Sequence, residues 1–249
     1  MVKIKAIIPA AGYATRLWPL TQETPKPLIP VNDKPIIEHI IDNILTIEEI
    51  NHIYIITNQK FHNIFQEWFN SFKCDIPITL YNDETTSNEN RLGQIGDINF
   101  VLEKSAINDD LLIVAGDNLF NFSLKTAFEE FKKRKTIINP LHDSKSIKVA
   151  QEQGTVVIDE DNKFIEFMEK SPTPKTTLIS QGAYFFPMGK INLIQKYLKE
   201  GNNPDKMGYF MIWLIGREIV YGKIFNEKWF DIGWKESLEA AKSEFRGFK

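Results

Sequence analysis

This sequence predicts an α/β chain with a mixed, mostly parallel sheet flanked by helices. Three observations carry that reading. Short runs rich in β-branched residues alternate with stretches whose apolar residues recur at helical spacing. In the first third the order is strand, helix, strand, helix, strand, which implies parallel pairing through right-handed crossovers. In the second half the texture shifts to short strands and polar turns, so the sheet becomes mixed. One domain spanning 1–249 is expected, with halves meeting near residue 135.

The elements follow in order. Lys3–Pro9 is an apolar run that reads as a buried strand, and Pro9–Leu28 is a long loop. Pro35 suits a first helical turn, and residues 36, 37, 40, 41, 44 and 45 keep the helical period. Ile53–Thr57 is a strand, Lys60–Phe72 a helix and Pro77–Tyr81 a strand. The polar stretch Asp83–Arg91 leads into Leu92-Gly93-Gln94-Ile95-Gly96-Asp97, with a helix expected near Ile98–Ser105. Leu111–Ala115 is the most strand-like run and ends in Gly116-Asp117-Asn118. Ser123 caps a helix reaching Lys133.

Thr136–Leu141 and Ile147–Ala150 read as strands. Gly154–Ile158 and Phe164–Phe167 form an antiparallel pair around Asp159–Asn162, and Ile179–Phe186 is one further strand. Helices are expected at Gly189–Lys199 and Met207–Gly216, separated by the turn Gly201-Asn202-Asn203-Pro204. A strand at Ile219–Phe225, the segment Trp229–Gly233 and a helix at Glu236–Phe245 complete the chain.

Composition removes several function classes. The 249 residues are 43% hydrophobic and 25% charged, an ordinary balance with material for a sizeable core. A formal charge of −3 gives no global basic field for nucleic acid. One cysteine, Cys74, excludes an internal disulfide and a cysteine zinc site. His39, His52, His62 and His142 show no metal-ligand spacing. The apolar run after Lys3 is too short for a secretory signal, and no stretch is long enough to span a bilayer. The expectation is a cytoplasmic protein that engages neither nucleic acid nor membrane. Neither GxxxxGK[ST] nor GxGxxG occurs.

The loop Pro9–Leu28 carries the functional signal. Ala10, Ala11 and Gly12 let backbone N–H groups approach a ligand closely. Arg16 offers a planar fork of donors that suits phosphate oxygens, and Lys26 is held between Pro25 and Pro27. Ligands of open α/β sheets bind beyond the carboxyl ends of strands, which is where Asp117 falls. By itself Asp117 reads as a helix cap before it reads as a Mg²⁺ ligand.

As a pattern, AAGYATRLWPLT followed by PKPL closely resembles the signature loop of the sugar nucleotidyltransferases, the nucleotide-sugar pyrophosphorylases. That family includes glucose-1-phosphate thymidylyl- and uridylyltransferases and mannose-1-phosphate guanylyltransferases. The resemblance runs nearly end to end and implies their Rossmann-like, nucleotide-diphospho-sugar transferase fold. It implies nucleotide binding by Ala10, Ala11, Gly12, Leu92, Gly93 and Asn118. Arg16 would hold the outgoing pyrophosphate, and Lys26 would stabilise the reacting phosphoryl group. Gly116-Asp117-Asn118 and Trp229-Phe230-Asp231-Ile232-Gly233 resemble the two metal segments, so Asp117 and Asp231 would hold Mg²⁺. Gly154, Glu169 and Lys170 resemble the sugar-phosphate contacts. Gln94, Ile95 and Asp97 depart from the family's Leu-Gly-Thr-Ala-Gly-Ala, and Trp234 replaces a threonine.

The implied reaction joins a nucleoside triphosphate to a sugar 1-phosphate, giving a nucleoside diphosphate sugar and pyrophosphate. UTP or dTTP with a hexose 1-phosphate is the favoured pairing. The nucleophile is a phosphate oxygen that loses its second proton near pH ~6, so no general base is needed. Three alternatives remain: transfer to a non-sugar phosphate such as phosphocholine, a glycosyltransferase using a finished nucleotide sugar, and a regulatory paralogue that only binds one. Assembly as a homo-oligomer is left open.

Overall fold

A computed structural model describes residues 3–248. The chain enters through β1 (Ile4–Pro9), the long loop, and a small ribbon of β2 (Pro30–Val31) with β3 (Lys34–Pro35). It continues as α1 (Ile36–Ile44), β4 (Ile50–Thr57), α2 (His62–Ser71), β5 (Ile78–Asn82) and α3 (Gln94–Lys104). Then come β6 (Asp110–Val114), β7 (Asn118–Phe120), α4 (Leu124–Arg134), β8 (Ile137–Asp143) and α5 (Ile147–Ala150). Next are β9 (Gly154–Ile158), β10 (Phe164–Glu169), β11 (Leu178–Ser180) and β12 (Ala183–Phe186). The chain ends with α6 (Asn192–Lys199), α7 (Met207–Leu214), β13 (Val220–Phe225), β14 (Trp229–Asp231) and α8 (Lys235–Glu244).

A ten-stranded sheet is the spine. β5, β4, β1 and β6 lie side by side and parallel. β12 pairs antiparallel with β6, and β8 pairs parallel with β13. After β1 the chain winds to β4 and β5 on one side, then returns to β6 on the other. That reversal opens a crevice at the carboxyl ends of β1 and β6, the place where such sheets take ligands.

Alternation along β1 explains the layers. Ile4, Ala6 and Ile8 join the core shared with α1, α4 and α8, whereas Ile7 faces the core shared with α3, α6 and α7. Successive strand side chains point to opposite faces, so one strand feeds both cores. α1 buries Ile36, Ile37, Ile40, Ile41 and Ile44, the helical stripe expected from its sequence.

Four local expectations are corrected. Residues 147–150 form one helical turn, α5, because Ser146 caps it by accepting from Val149 N. Residues 179–186 are not one strand. They break at Gln181–Gly182, where the Asn139 side chain donates to the carbonyls of Gln181 and Ala183 at 2.9 and 2.8 Å. α3 begins at Gln94, so Gln94–Asp97 are helical rather than loop. Asp117 leads into β7 rather than into a helix, and β7 pairs with β14, a contact between residues more than 100 positions apart.

Candidate active site

The signature loop is pinned from beneath. Ala10 N donates to Ile56 O at 2.8 Å, Asn58 Nδ2 to Ala11 O at 2.8 Å, and buried Thr21 Oγ1 to Ala14 O at 2.7 Å. Those bonds hold the loop open over a cavity of about 380 Å³. Ala10, Ala11, Gly12, Lys26, Gly93, Asp117, Asn118, Gly154, Glu169, Lys170 and Asp231 all line it. Arg16 and Leu92 are not among its lining residues. Arg16 is exposed, with its guanidinium carbon 4.8 Å from the centre of the Trp234 ring. Leu92 borders a smaller neighbouring hollow with Arg91 and Asp205.

The two metal-candidate carboxylates are brought together by the β7–β14 ladder. Asp231 pairs with Asn118 across that ladder, and Ile232 N donates to Asp117 O at 3.1 Å. Lys26 Nζ donates to Asp117 Oδ2 at 2.6 Å and to Ile232 O at 2.8 Å. It therefore ties the first loop to both carboxylate segments. Burial pushes the Asp117 carboxyl up, but the Lys26 ammonium outweighs it and holds Asp117 below the usual carboxylate range. Burial, reinforced by the negative charge of Asp117, pushes Asp231 up, while Gln153 Nε2 donates to its Oδ2 at 3.1 Å. Among the described residues no three His, Cys, Asp or Glu side chains gather as a metal cage. Two carboxylates on neighbouring segments, one of them kept ionised by Lys26, do fit Mg²⁺, which takes one or two carboxylates and completes its shell with phosphate and water.

Gly116 has a different task from the one its position suggests. A Cβ there would sit 2.8 Å from Pro9 O, so the glycine lets the ends of β6 and β1 close on each other. Gly93 is required twice over: its φ is +80°, and a Cβ would lie 2.6 Å from Asp205 Cα.

The far end of the cavity holds residues from the second half. Glu169 ends β10, and Lys170 follows with φ 48°, a left-handed backbone uncommon for lysine. Lys206 lines the same end, its Nζ 3.5 Å from Glu169 Oε1. A Cβ on Gly208 of α7 would meet Glu169 Oε2 at 2.0 Å. Sequence reading missed Lys206, Gly208, Gln153 and Arg91, because their turns and helices carry no local motif. Gly208→Ala is expected to displace the flexible end of Glu169 while sparing the fold. Turnover should fall while the melting temperature stays within a few degrees, as activity and thermal unfolding measured together will check.

A second acidic pair lies beside the first turn of α3, where Asp97 lines the cavity. Asp83 and Asp97 are both buried, near enough for the charge of Asp83 to act on Asp97. Asp83 accepts from Thr85 N at 2.7 Å and Thr85 Oγ1 at 3.0 Å, while Thr85 Oγ1 lies 3.2 Å from Tyr13 OH. Burial, then the charge of Asp83, pushes Asp97 well above the usual range. A carboxyl whose folded pKa is raised contributes its full stability below the unfolded value and loses it as pH rises through the folded value. Asp97→Asn cannot ionise and so removes one of the two buried charges. Its melting temperature should exceed that of the parent by a margin that widens from pH 4 to pH 8, at about 2–4 °C per kcal/mol. Thermal unfolding across that range is the check.

No helix among the described residues is long and apolar enough to cross a membrane. The nucleotidyl transferase family matches residues 5–246. The chain is 33% identical over 239 residues to the bifunctional protein GlmU of Methanocaldococcus jannaschii, covering 95% of this chain and 53% of that one. It is 26% identical over 238 residues to the UTP–glucose-1-phosphate uridylyltransferase of Synechocystis, covering 92% and 60% respectively. The chain thus spans about half the length of the curated relatives it matches. A solved UDP-glucose pyrophosphorylase bound to UDP-glucose shares the fold at TM-score 0.80 and 18% identity, over 98% of both chains. With the family's pattern matched from β1 to α8 and a mixed sheet like that of its solved neighbours, the chain belongs to the nucleotidyl transferase family.

Proposed function

We propose that the chain catalyses Mg²⁺-dependent transfer of a nucleotidyl group from a nucleoside triphosphate to a sugar 1-phosphate, with UTP or dTTP and a hexose 1-phosphate favoured. One observation carries the reading: Lys26 of the signature loop reaches Asp117 Oδ2 and Ile232 O, at the meeting point of the two carboxylate segments. The reaction must bring two polyanions into line and absorb charge at the α-phosphate. Lys26 supplies a fixed positive charge there. Asp117 and Asp231 would hold Mg²⁺, which when bound neutralises phosphate charge. The loop backbone at Ala10–Gly12 would face the triphosphate, and Arg16, on the same loop beside Trp234, would take the leaving pyrophosphate. The acceptor's phosphate oxygen is already anionic, so no side chain needs to remove a proton.

The acceptor end argues for a hydroxylated phosphate ester over phosphocholine. Phe167, Tyr184 and Trp229 with Glu169 could in principle receive a quaternary ammonium. Lys206 already faces Glu169, however, and Lys170 stands beside it, so a cation would enter against two lysines. A sugar offers hydroxyls to Glu169 and an anionic phosphate to the lysines.

The test is pyrophosphate release over a grid of nucleoside triphosphates and phosphorylated acceptors. Lys26→Ala should lower kcat by about 10²–10³ with a smaller change in nucleotide affinity. Asp117→Asn should raise the Mg²⁺ requirement or abolish turnover. Parental rates in both variants, or no pyrophosphate from any pair, would overturn the reading.

A further inference from the structure

Trp229 opens β14, two residues before Asp231 on the same strand. Its indole Nε1–H donates to Asn118 Oδ1 at 2.5 Å, across the β7–β14 pair. Indole nitrogen is a donor only, so the atom it meets must be the amide oxygen. Side-chain amides are otherwise nearly symmetric in shape, and a partner of this kind decides which way one points. With Oδ1 committed to Trp229, Nδ2 faces the site and donates to Asp117 Oδ1 at 2.7 Å. Among the described residues no protein acceptor takes its second hydrogen. Gly182 keeps the space clear, since a Cβ there would sit 3.1 Å from Nδ2. Asn118, Trp229 and Gly182 all line the cavity.

We propose that Trp229 is a positioning residue, whose indole N–H locks the Asn118 amide so that one hydrogen steadies Asp117 and the other is presented to an oxygen of the acceptor substrate, rather than to the nucleotide as the resemblance implied for Asn118. This rests on the functional reading above, in which the acceptor occupies that end of the cavity. A flipped amide would turn its oxygen on the Asp117 carboxylate, setting acceptor against acceptor, and would withdraw the donor from the substrate. The same indole therefore serves the carboxylate and the acceptor together, through a single amide.

The test combines kinetics with a direct view of the hydrogen bond. The substrates are the triphosphate and sugar 1-phosphate pair that releases most pyrophosphate in the grid. Trp229→Phe keeps the ring and removes the N–H. It should raise KM for the acceptor about fivefold or more, the effect of one lost hydrogen bond, and leave KM for the triphosphate within about twofold. Because the effect runs through Asn118, the double variant Trp229→Phe/Asn118→Ala should be no worse than Asn118→Ala alone. In the parent protein the Trp229 indole N–H proton resonance, assigned by its loss in Trp229→Phe, should move towards the free-indole position in Asn118→Ala. That measurement stands even if Trp229→Phe folds poorly. If Asn118→Ala is impaired while Trp229→Phe keeps the parental acceptor KM, or if both KM values rise together, the inference is overturned and the functional reading survives. An unmoved indole resonance overturns it as well. If Asn118→Ala keeps the parental acceptor KM, the inference is overturned and the functional reading survives; if no pair is turned over, the functional reading fails and takes the inference with it.

Discussion

Like charge held close is the constraint on which this site turns. Asp117 and Asp231 come from segments more than 100 residues apart, and a three-residue strand pair sets them side by side. Left alone, two buried carboxylates would take up protons or drive the segments apart. Lys26 answers that from a third segment, donating to Asp117 and to the carbonyl next to Asp231. The ion pair is partly open to the cavity, with side-chain exposures of 14% for Lys26 and 31% for Asp117, so its charges stay within reach of a ligand. Positive charge at this spot is therefore a requirement of the fold before it is a requirement of any reaction.

The two ends of the cavity are also bound to each other. Carbonyls of Pro204 and Asp205 accept from the first amides of α3, at 2.9 Å from Ile95 N and 3.1 Å from Gln94 N. Arg91 Nε reaches Asp205 Oδ1 at 3.0 Å, and Gln94 Oε1 accepts from Met207 N at 3.3 Å. The free N–H groups of a helix start are ready anion sites, but here the chain's own carbonyls consume those of α3. On the proposed function, phosphate binding is thereby left to the signature loop. Lys206 and Gly208 belong to the same stretch, so the loop before α3 and the Glu169 side chain share one scaffold.

Most of the fold was legible because its evidence is local. The stripe of isoleucines in α1 and the run Leu111–Ala115 each state their structure within a few residues. The failures have physical causes of the same scale. Ile147 to Ala150 carries strand-like residues, yet both Ile147 and Val149 are exposed, so no sheet claims them and the Ser146 cap decides. The break at Gln181–Gly182 depends on Asn139, about 40 positions away, and no local pattern announces it. Among site residues, those inside contiguous motifs were found. Lys206 and Gly208 were not, because only the docking of α7 against β10 gives them a role. Arg16 carries the opposite lesson: a motif names the residue, but its resting place is set by Trp234, where the sequence departs from the family's threonine.

The same reasoning shows why the glycines matter more than their chemistry suggests. Gly116 admits the chain at Pro9 and Ala10, Gly182 clears Asn118, and Gly208 admits Glu169. Each removes a Cβ where a polar side chain or backbone atom must stand, and none is needed there for positive φ. Gly93 combines both demands, since its left-handed backbone and its contact with Asp205 fix the same turn. A side chain at any of these points would press on an atom that lines or supports the cavity. Packing density leaves little room for such an atom to yield. The charged groups could be kept intact and the site still lost, because what these residues supply is the space in which the carboxylates, the amide and the lysine keep their distances.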